Sequence, residues 1–130
     1  MNGLEPVSSV TLSSTNTTLI SGQQMNLTCA TSYCNPPAYI TWYKSSENVT
    51  NQSNYTINRV DGLAETVSLL LITVGKNDTG KQIFCRASNT PDKTITSNTS
   101  TLNVLCKCIF HSSVFRQLFC SVSVNNVLPK

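Results

Sequence analysis

The chain has 130 residues, a formal net charge of +3 and only 12% charged residues. Its apolar content of 39% is typical of a globular core and excludes a disordered chain. Lys and Arg form no run, whereas a nucleic-acid groove requires clustered cations, so no nucleic-acid partner is predicted.

Alternating apolar residues between turn signals predict an all-β chain with no helix before residue 106. Residues 7–20 predict a first pair of strands with a break at 13–16. Asp61-Gly62 and Thr90-Pro91-Asp92 are turn signals, and residues 45–54 predict a loop with at most a short edge strand. Further strands are predicted over 24–30, 39–44, 55–60, 66–72 and 82–88, and a last strand carries Leu102 and Val104.

Three of these strands carry a cysteine or a tryptophan on an apolar face: Cys29, Trp42 and Cys85. Side chains two residues apart point to the same face of a strand, so each run presents apolar neighbours beside its Cys or Trp. An indole packed on a disulfide between two sheets, with about 55 residues between the cysteines, is the core of an immunoglobulin-like sandwich. The fold class predicted is therefore an antiparallel two-sheet sandwich with Greek-key connections.

Three local motifs surround the two cysteines and the tryptophan: Ser21-Gly22-Gln23 before Leu27-Thr28-Cys29, Asn35-Pro36-Pro37-Ala38 before Ile40-Thr41-Trp42-Tyr43-Lys44, and Asp78-x-Gly80 before Ile83-x-Cys85-x-Ala87-x-Asn89. With these motifs the chain resembles the immunoglobulin superfamily, and more narrowly the C2-type, B7-like domains of nephrin- and nectin-like adhesion receptors. Antibody-like domains have a Tyr two residues before the second cysteine; here that position is Ile83, which argues against a variable-type domain.

The resemblance implies a three-part chain. Residues 1–5 are predicted as an N-terminal extension, 6–105 as the C2-type domain, and 106–130 as a cysteine-containing irregular tail. The tail fits neither template, and an alternative exon or translated intron is the favoured interpretation. Within it, residues 109–119 are compatible with a short amphipathic helix and 121–124 with a strand.

Cysteines and sequons indicate an oxidising, extracellular compartment. The chain has six cysteines, and Cys29 and Cys85 in strand interiors are interpreted as a structural disulfide. The N-terminus has no secretory leader pattern and no run of about 18 apolar residues occurs, so a fragment or incomplete gene model of a longer protein is expected. Asn-x-Ser/Thr sequons predict N-glycans at Asn16, Asn26, Asn48, Asn51, Asn54, Asn77 and Asn98.

A candidate protein interface follows from strand alternation. Because Ile40, Trp42, Ile83 and Cys85 are predicted to point inward, their neighbours on the two strands must point outward. Aromatic residues and Arg are enriched at protein interfaces, although single outward aromatics are also ordinary in antiparallel sheets. No sequon lies on these two strands, whereas Asn26 would place a glycan on the opposite sheet. The candidate interface consists of Tyr39, Tyr43, Phe84 and Arg86.

Catalytic and metal chemistry have little support in the sequence. His111 is the single histidine, no Gly-rich phosphate loop occurs, and the carboxylates are dispersed, so no enzyme activity and no cofactor are predicted. The spacing of Cys106, Cys108, His111 and Cys120 matches no structural zinc pattern, so no metal is predicted.

The remaining four cysteines, Cys34, Cys106, Cys108 and Cys120, allow three full pairings, which the sequence leaves open. Cys34 is a candidate for a bridge to the tail or to another chain.

The function predicted is a non-catalytic, glycosylated, protein-binding domain of a cell-surface adhesion or recognition receptor, attached to the membrane only through a downstream segment. A soluble secreted immune-type recognition protein is the alternative. The choice between a homophilic and a heterophilic partner stays open.

Overall fold

The computed structural model describes residues 4–14, 18–107 and 117–119. Buried and exposed side chains alternate along the strands that border the core, as in Gln24–Thr31. Two 3-10 helices, Thr50–Gln52 and Lys76–Asp78, are the helical elements in it. The strands are β1 Val10–Ser14, β2 Thr18–Ile20, β3 Gln24–Thr31, β4 Tyr39–Lys44, β5 Glu47–Asn48, β6 Ser53–Val60, β7 Leu63–Thr73, β8 Gln82–Thr90, β9 Lys93–Thr96, β10 Ser100–Thr101, β11 Asn103–Lys107 and β12 Gln117–Phe119.

Two antiparallel sheets form the sandwich. One has the order β1-β3-β7-β6, and the other has the order β10-β8-β4-β5, with β9 also paired to β8. The two strands predicted over residues 7–20 do not pair with each other. Strand β1 pairs with β3, whereas β2 pairs in parallel with β11. The Asp61-Gly62 turn joins β6 to β7, and both residues adopt the positive φ that a two-residue hairpin turn of this kind needs.

The core lies between the sheets, where a disulfide joins β3 to β8. Cys29 and Cys85 are fully buried, with their Cα atoms 6.7 Å apart and a sequence separation of 56. Trp42 is also fully buried and is the cross-strand partner of Cys85, which places the indole beside the bridge. The predicted disulfide and the predicted all-β sandwich are confirmed.

Strand β7 resolves an ambiguity in the sequence at Leu69-Leu70-Leu71. Leu70 is buried in the core, whereas Leu69 and Leu71 are exposed on the outer face of the four-stranded sheet. The core face of the same strand carries the buried polar residues Thr66 and Ser68. A hydrophobic run alone therefore did not indicate which leucine points inward.

The described part of the tail belongs to a sheet. Strand β11 runs to Lys107, and β12 pairs with it antiparallel, Leu105 opposite Phe119 and Lys107 opposite Gln117. The expectation of a helix is therefore wrong at Leu118 and Phe119, because these residues are in extended pairing. The rest of the predicted helix and the strand predicted at 121–124 lie outside the described residues, and the division of the chain at residue 105 stays a prediction.

Candidate functional site

The four residues of the candidate interface lie on the outer face of the sheet that contains β4 and β8. Tyr43 is paired with Phe84, Tyr39 with Ser88, and Arg86 lies opposite Thr41. Their neighbours in the strands, Trp42 and Cys85 among them, are buried in the core, so alternation directs the four side chains outward.

Three of the four side chains form one stack. The rings of Tyr43 and Phe84 are stacked with their centroids 5.5 Å apart and an angle of 18° between their planes. The Arg86 guanidinium carbon lies 5.0 Å from the Tyr43 centroid and 5.5 Å from that of Phe84. Such cation–π contacts at exposed sites contribute about 0.5–1 kcal/mol each. The stack is thus a pre-ordered patch with one positive charge.

Tyr39 lies outside this stack and is 65% exposed. A shallow hollow of about 200 Å³ separates it from the stack. Thr41, Ser88 and Thr94 supply polar groups to its lining, so both apolar and hydrogen-bonding contacts are available to a ligand.

The sequon of Asn48 lies closer to this surface than the strands predicted from the sequence indicated. Asn48 of β5 is exposed and is the cross-strand partner of Tyr43. Paired residues share a face of the sheet, so a glycan on Asn48 would border the stack on its β5 side. The sequence did not indicate the pairing of Asn48 with Tyr43, because residues 45–54 contain no alternating strand pattern.

The other sequons differ in how their amides are engaged. Asn26, Asn51, Asn54 and Asn77 are exposed, and Asn16 lies outside the described residues. Asn98 is exposed too, but its side chain binds the backbone of β1: its Oδ1 accepts a hydrogen bond from Leu12 N at 2.9 Å, and its Nδ2 donates to Leu12 O at 3.1 Å. Attachment of glycans at these positions stays a prediction.

The hypothesis that Cys34 bridges to the tail is wrong. Cys34 is a free, fully buried thiol whose Sγ lies 3.5 Å from Pro36 O and 3.6 Å from Ala64 O. Cys106 is itself disulfide-bonded. Burial of the Cys34 thiol also removes it from the reach of another chain.

Within the described ranges, no group of three His, Cys, Asp or Glu residues is arranged to hold a metal ion. His111, Cys108 and Cys120, considered at the sequence level, lie outside these ranges. No described helix is long and apolar enough to cross a membrane.

The immunoglobulin domain model, a model of a protein family, matches residues 8–89, which include both core cysteines and Trp42. The chain belongs to the immunoglobulin superfamily. A C2-type subtype is consistent with this match, and domains of this family are generally non-catalytic. No curated protein matches the chain.

Solved structures share the fold of this immunoglobulin domain. The full ectodomain (Ig1–Ig3) of mouse nectin-like molecule 4 superposes with a TM-score of 0.68 at 16% identity, over 79% of this chain and 35% of that one. Rst D1–D2 gives a TM-score of 0.63 at 22% identity, over 80% and 51% respectively. Domain C3 of an IgNAR antibody gives 0.53 at 18% identity, over 74% and 97%. The chain thus spans a third to a half of the first two structures.

Proposed function

We propose that this immunoglobulin domain is a protein-binding module of an extracellular adhesion or recognition receptor with several such domains. Its binding surface is the outer face of β4 and β8. The observation that carries the proposal is the Tyr43–Phe84 stack with Arg86 over both rings, next to the exposed ring of Tyr39.

The composition and order of this surface suit protein recognition. Tyr, Phe and Arg are enriched at interface cores. The aromatic rings bury a large area at a low cost in side-chain entropy, and Arg adds several hydrogen-bond donors in a fixed planar geometry. Mutual stacking holds Tyr43, Phe84 and Arg86 in place before a partner arrives, which lowers the entropy cost of association. A partner with an acidic or carbonyl-rich patch would satisfy the free donors of Arg86.

An extracellular location is supported by chemistry rather than by similarity. A disulfide between two strand interiors forms and persists in oxidising compartments. The exposed sequon asparagines agree with passage through the secretory pathway. Similarity to the ectodomain of nectin-like molecule 4 is a likeness of fold and is compatible with this location.

The test uses the full chain, exported from mammalian cells with an added cleavable leader and displayed as a multimer. Binding is measured to immobilised copies of the same chain and to a panel of purified extracellular proteins. The double variant Y43S/F84S is expected to lower binding by about tenfold or more, because the stack is removed. The control Y55S removes an exposed tyrosine on β6, outside the stack, and should bind like the wild type.

Far-UV circular dichroism and thermal unfolding establish that each variant is folded. Equal binding by wild type and Y43S/F84S would show that this face is not the interface. Binding only to immobilised copies of the chain would show that the partner is homophilic. Binding only to another protein would show that it is heterophilic. Failure of the displayed wild-type chain to bind any member of the panel or itself would contradict the proposed function.

A further inference from the structure

Strand β7 carries apolar side chains on its outer face as well as on its core face, where two polar residues also lie. Its core face carries Thr66 and Ser68, whereas Leu69 and Leu71 on the outer face are 49% and 45% exposed. Val67, half-buried on the same outer face, extends the apolar stripe. Contiguous apolar surface on a soluble domain usually marks a place that something covers.

Two sequons flank this stripe in register. Asn26 of β3 is the cross-strand partner of Leu71, and Asn54 of β6 is the partner of Leu69. Side chains of directly paired residues share a face, with their Cβ atoms about 4.5–5.5 Å apart. Each asparagine therefore lies beside one leucine, on opposite sides of β7.

The hydroxyl residues of both sequons lie on the same face. Thr28 is opposite Leu69, and Thr56 is opposite Val67. Each threonine is two positions after its asparagine, so both members of each sequon point outward together. An enzyme that recognises Asn-x-Thr would meet both groups at the surface of this sheet.

The two amides are also free to react. Within the described part of the chain, neither Asn26 nor Asn54 makes a side-chain hydrogen bond, and both residues are exposed. Asn98 differs, because its Nδ2 donates to Leu12 O at 3.1 Å. Asn48 differs as well, since its Oδ1 accepts from Thr50 N at 3.0 Å.

We propose that N-linked glycans on Asn26 and Asn54 lie across the Leu69–Leu71 surface and close the outer face of the four-stranded sheet to protein partners. In the attachment step the asparagine Nδ2 forms a bond to the anomeric carbon of a lipid-linked sugar diphosphate. The bond from that carbon to the diphosphate oxygen breaks, the lipid diphosphate leaves with the electron pair, and Nδ2 gives up one proton.

The first sugar on each asparagine is N-acetylglucosamine. Its acetamido methyl group and the C–H face of its ring are apolar and lie within reach of the adjacent leucine, while its hydroxyls remain in water. Glycans attached on both sides of β7 thus cover the apolar stripe and displace water from it, and no protein partner is needed to cover it. This inference concerns the sheet opposite to the proposed binding face and stands independently of it.

Site occupancy is the first test. The full chain is secreted from mammalian cells, its glycans are removed with peptide N-glycosidase in heavy-oxygen water, and peptides covering residues 26 and 54 are analysed by mass spectrometry. Conversion of both asparagines to labelled aspartates is expected. An unmodified Asn26 or Asn54 in the secreted protein would overturn the proposal.

The second test measures the apolar surface. Removal of both glycans in N26Q/N54Q should raise the fluorescence of the hydrophobic dye bis-ANS severalfold and promote self-association in sedimentation velocity. Adding L69S/L71S to that variant should return both signals to the wild-type level. The control N77Q removes an exposed sequon in the segment between β7 and β8 and should behave like the wild type.

A third measurement covers the case in which N26Q/N54Q does not fold. Protein made with high-mannose glycans is folded first and then treated with an endoglycosidase that leaves one N-acetylglucosamine, or with peptide N-glycosidase, which leaves none. Low dye binding after the first treatment and high dye binding after the second are expected. Dye binding that does not change after complete removal of the glycans would contradict the proposal. So would a dimer of the glycosylated wild type that the L69S/L71S substitutions dissociate.

Discussion

The indole Nε1–H of Trp42 donates a hydrogen bond of 2.8 Å to Ser68 Oγ and so connects β4 of one sheet to β7 of the other. Ser68 Oγ in turn donates to Asn54 O at 3.0 Å. The side chains of Trp42 and Ser68 are both buried, so water cannot replace the hydrogen bond between them. Ser68 therefore lies on the core face of β7 as the hydrogen-bond acceptor of the single tryptophan.

The variant S68A is expected to lower the free energy of unfolding by about 1–3 kcal/mol, because the buried indole N–H loses its acceptor. Urea unfolding followed by the fluorescence of Trp42 measures this. The control is S100A, since Ser100 Oγ is buried and has no hydrogen-bond partner in the described structure. Both variants are measured in unglycosylated protein, because Ser100 is part of the Asn98 sequon. S100A should stay within about 0.5 kcal/mol of the wild type or be more stable. Equal losses in both variants would contradict the assigned role of Ser68.

Asp78 should make stability depend on acid pH. Its carboxylate lies 3.1 Å from Lys44 Nζ and 3.6 Å from Lys81 Nζ, and accepts a hydrogen bond from Gly75 N at 2.8 Å. Burial alone would raise the pKa of the Asp78 carboxyl, but the Gly75 N–H and the two ammonium groups together hold the pKa below its ordinary value of 3.8. The lowered pKa means that the folded state favours the charged form.

The stabilisation by Asp78 is therefore fully present above the ordinary pKa and is lost as the pH falls through the lower folded value. We expect D78N to be less stable than the wild type by about 1–3 kcal/mol at pH 7, a difference that shrinks below about pH 4. Urea unfolding from pH 7 to pH 2 measures it. E5Q, a change at an exposed carboxylate, is the control, and a D78N difference that does not vary with pH would exclude this role.

Cys34 should resist alkylation in the folded protein. Burial raises the pKa of the Cys34 thiol, although a backbone hydrogen bond from Ala38 partly offsets this, so little thiolate forms and the reagent has no access. Iodoacetamide labelling at pH 8 is expected to be at least about tenfold slower in native than in urea-unfolded protein. Non-reducing peptide mapping should also find Cys29 linked to Cys85 and Cys34 unlinked. Rapid native labelling of Cys34, or its linkage to a tail peptide, would contradict the structure.

Asn98 should contribute to stability whether or not it carries a sugar. Its amide binds both backbone groups of Leu12, which holds β1 against the segment before β10. In unglycosylated protein, N98Q is expected to cost about 1–2 kcal/mol, because the longer side chain cannot keep both hydrogen bonds in place. N77Q changes an exposed sequon with no such contacts and should be neutral in the same thermal unfolding assay. A neutral N98Q would show that these hydrogen bonds contribute little.

Local patterns in the sequence were sufficient for the core and for the orientation of the candidate interface. Cys29, Trp42 and Cys85 occupy the predicted inner face, and Tyr43 and Phe84 the outer face, because a strand alternates its side chains with a strict period of two. The predicted bounds of β3, β4, β6, β7 and β8 agree with the structure to within a few residues, since Gly, Pro and Asp turns interrupt the apolar runs. Strand β9 was not predicted, and Leu102 lies between β10 and β11 rather than in a strand.

Beyond the Cys29–Cys85 bridge and Trp42, tertiary structure alone decided which residues from distant segments meet. Ser68 lies under Trp42, Asn48 beside Tyr43, and Leu69 beside Asn54, and each of these pairs follows from strand order and register. A leucine run has no period that distinguishes its faces, and a single thiol carries no signal of its partner, so the orientation of Leu69 and the free state of Cys34 were not predictable. The register of the strands depends on how whole sheet faces are buried against each other. This contribution to the free energy involves residues far apart in the chain, so no short stretch of sequence can predict it.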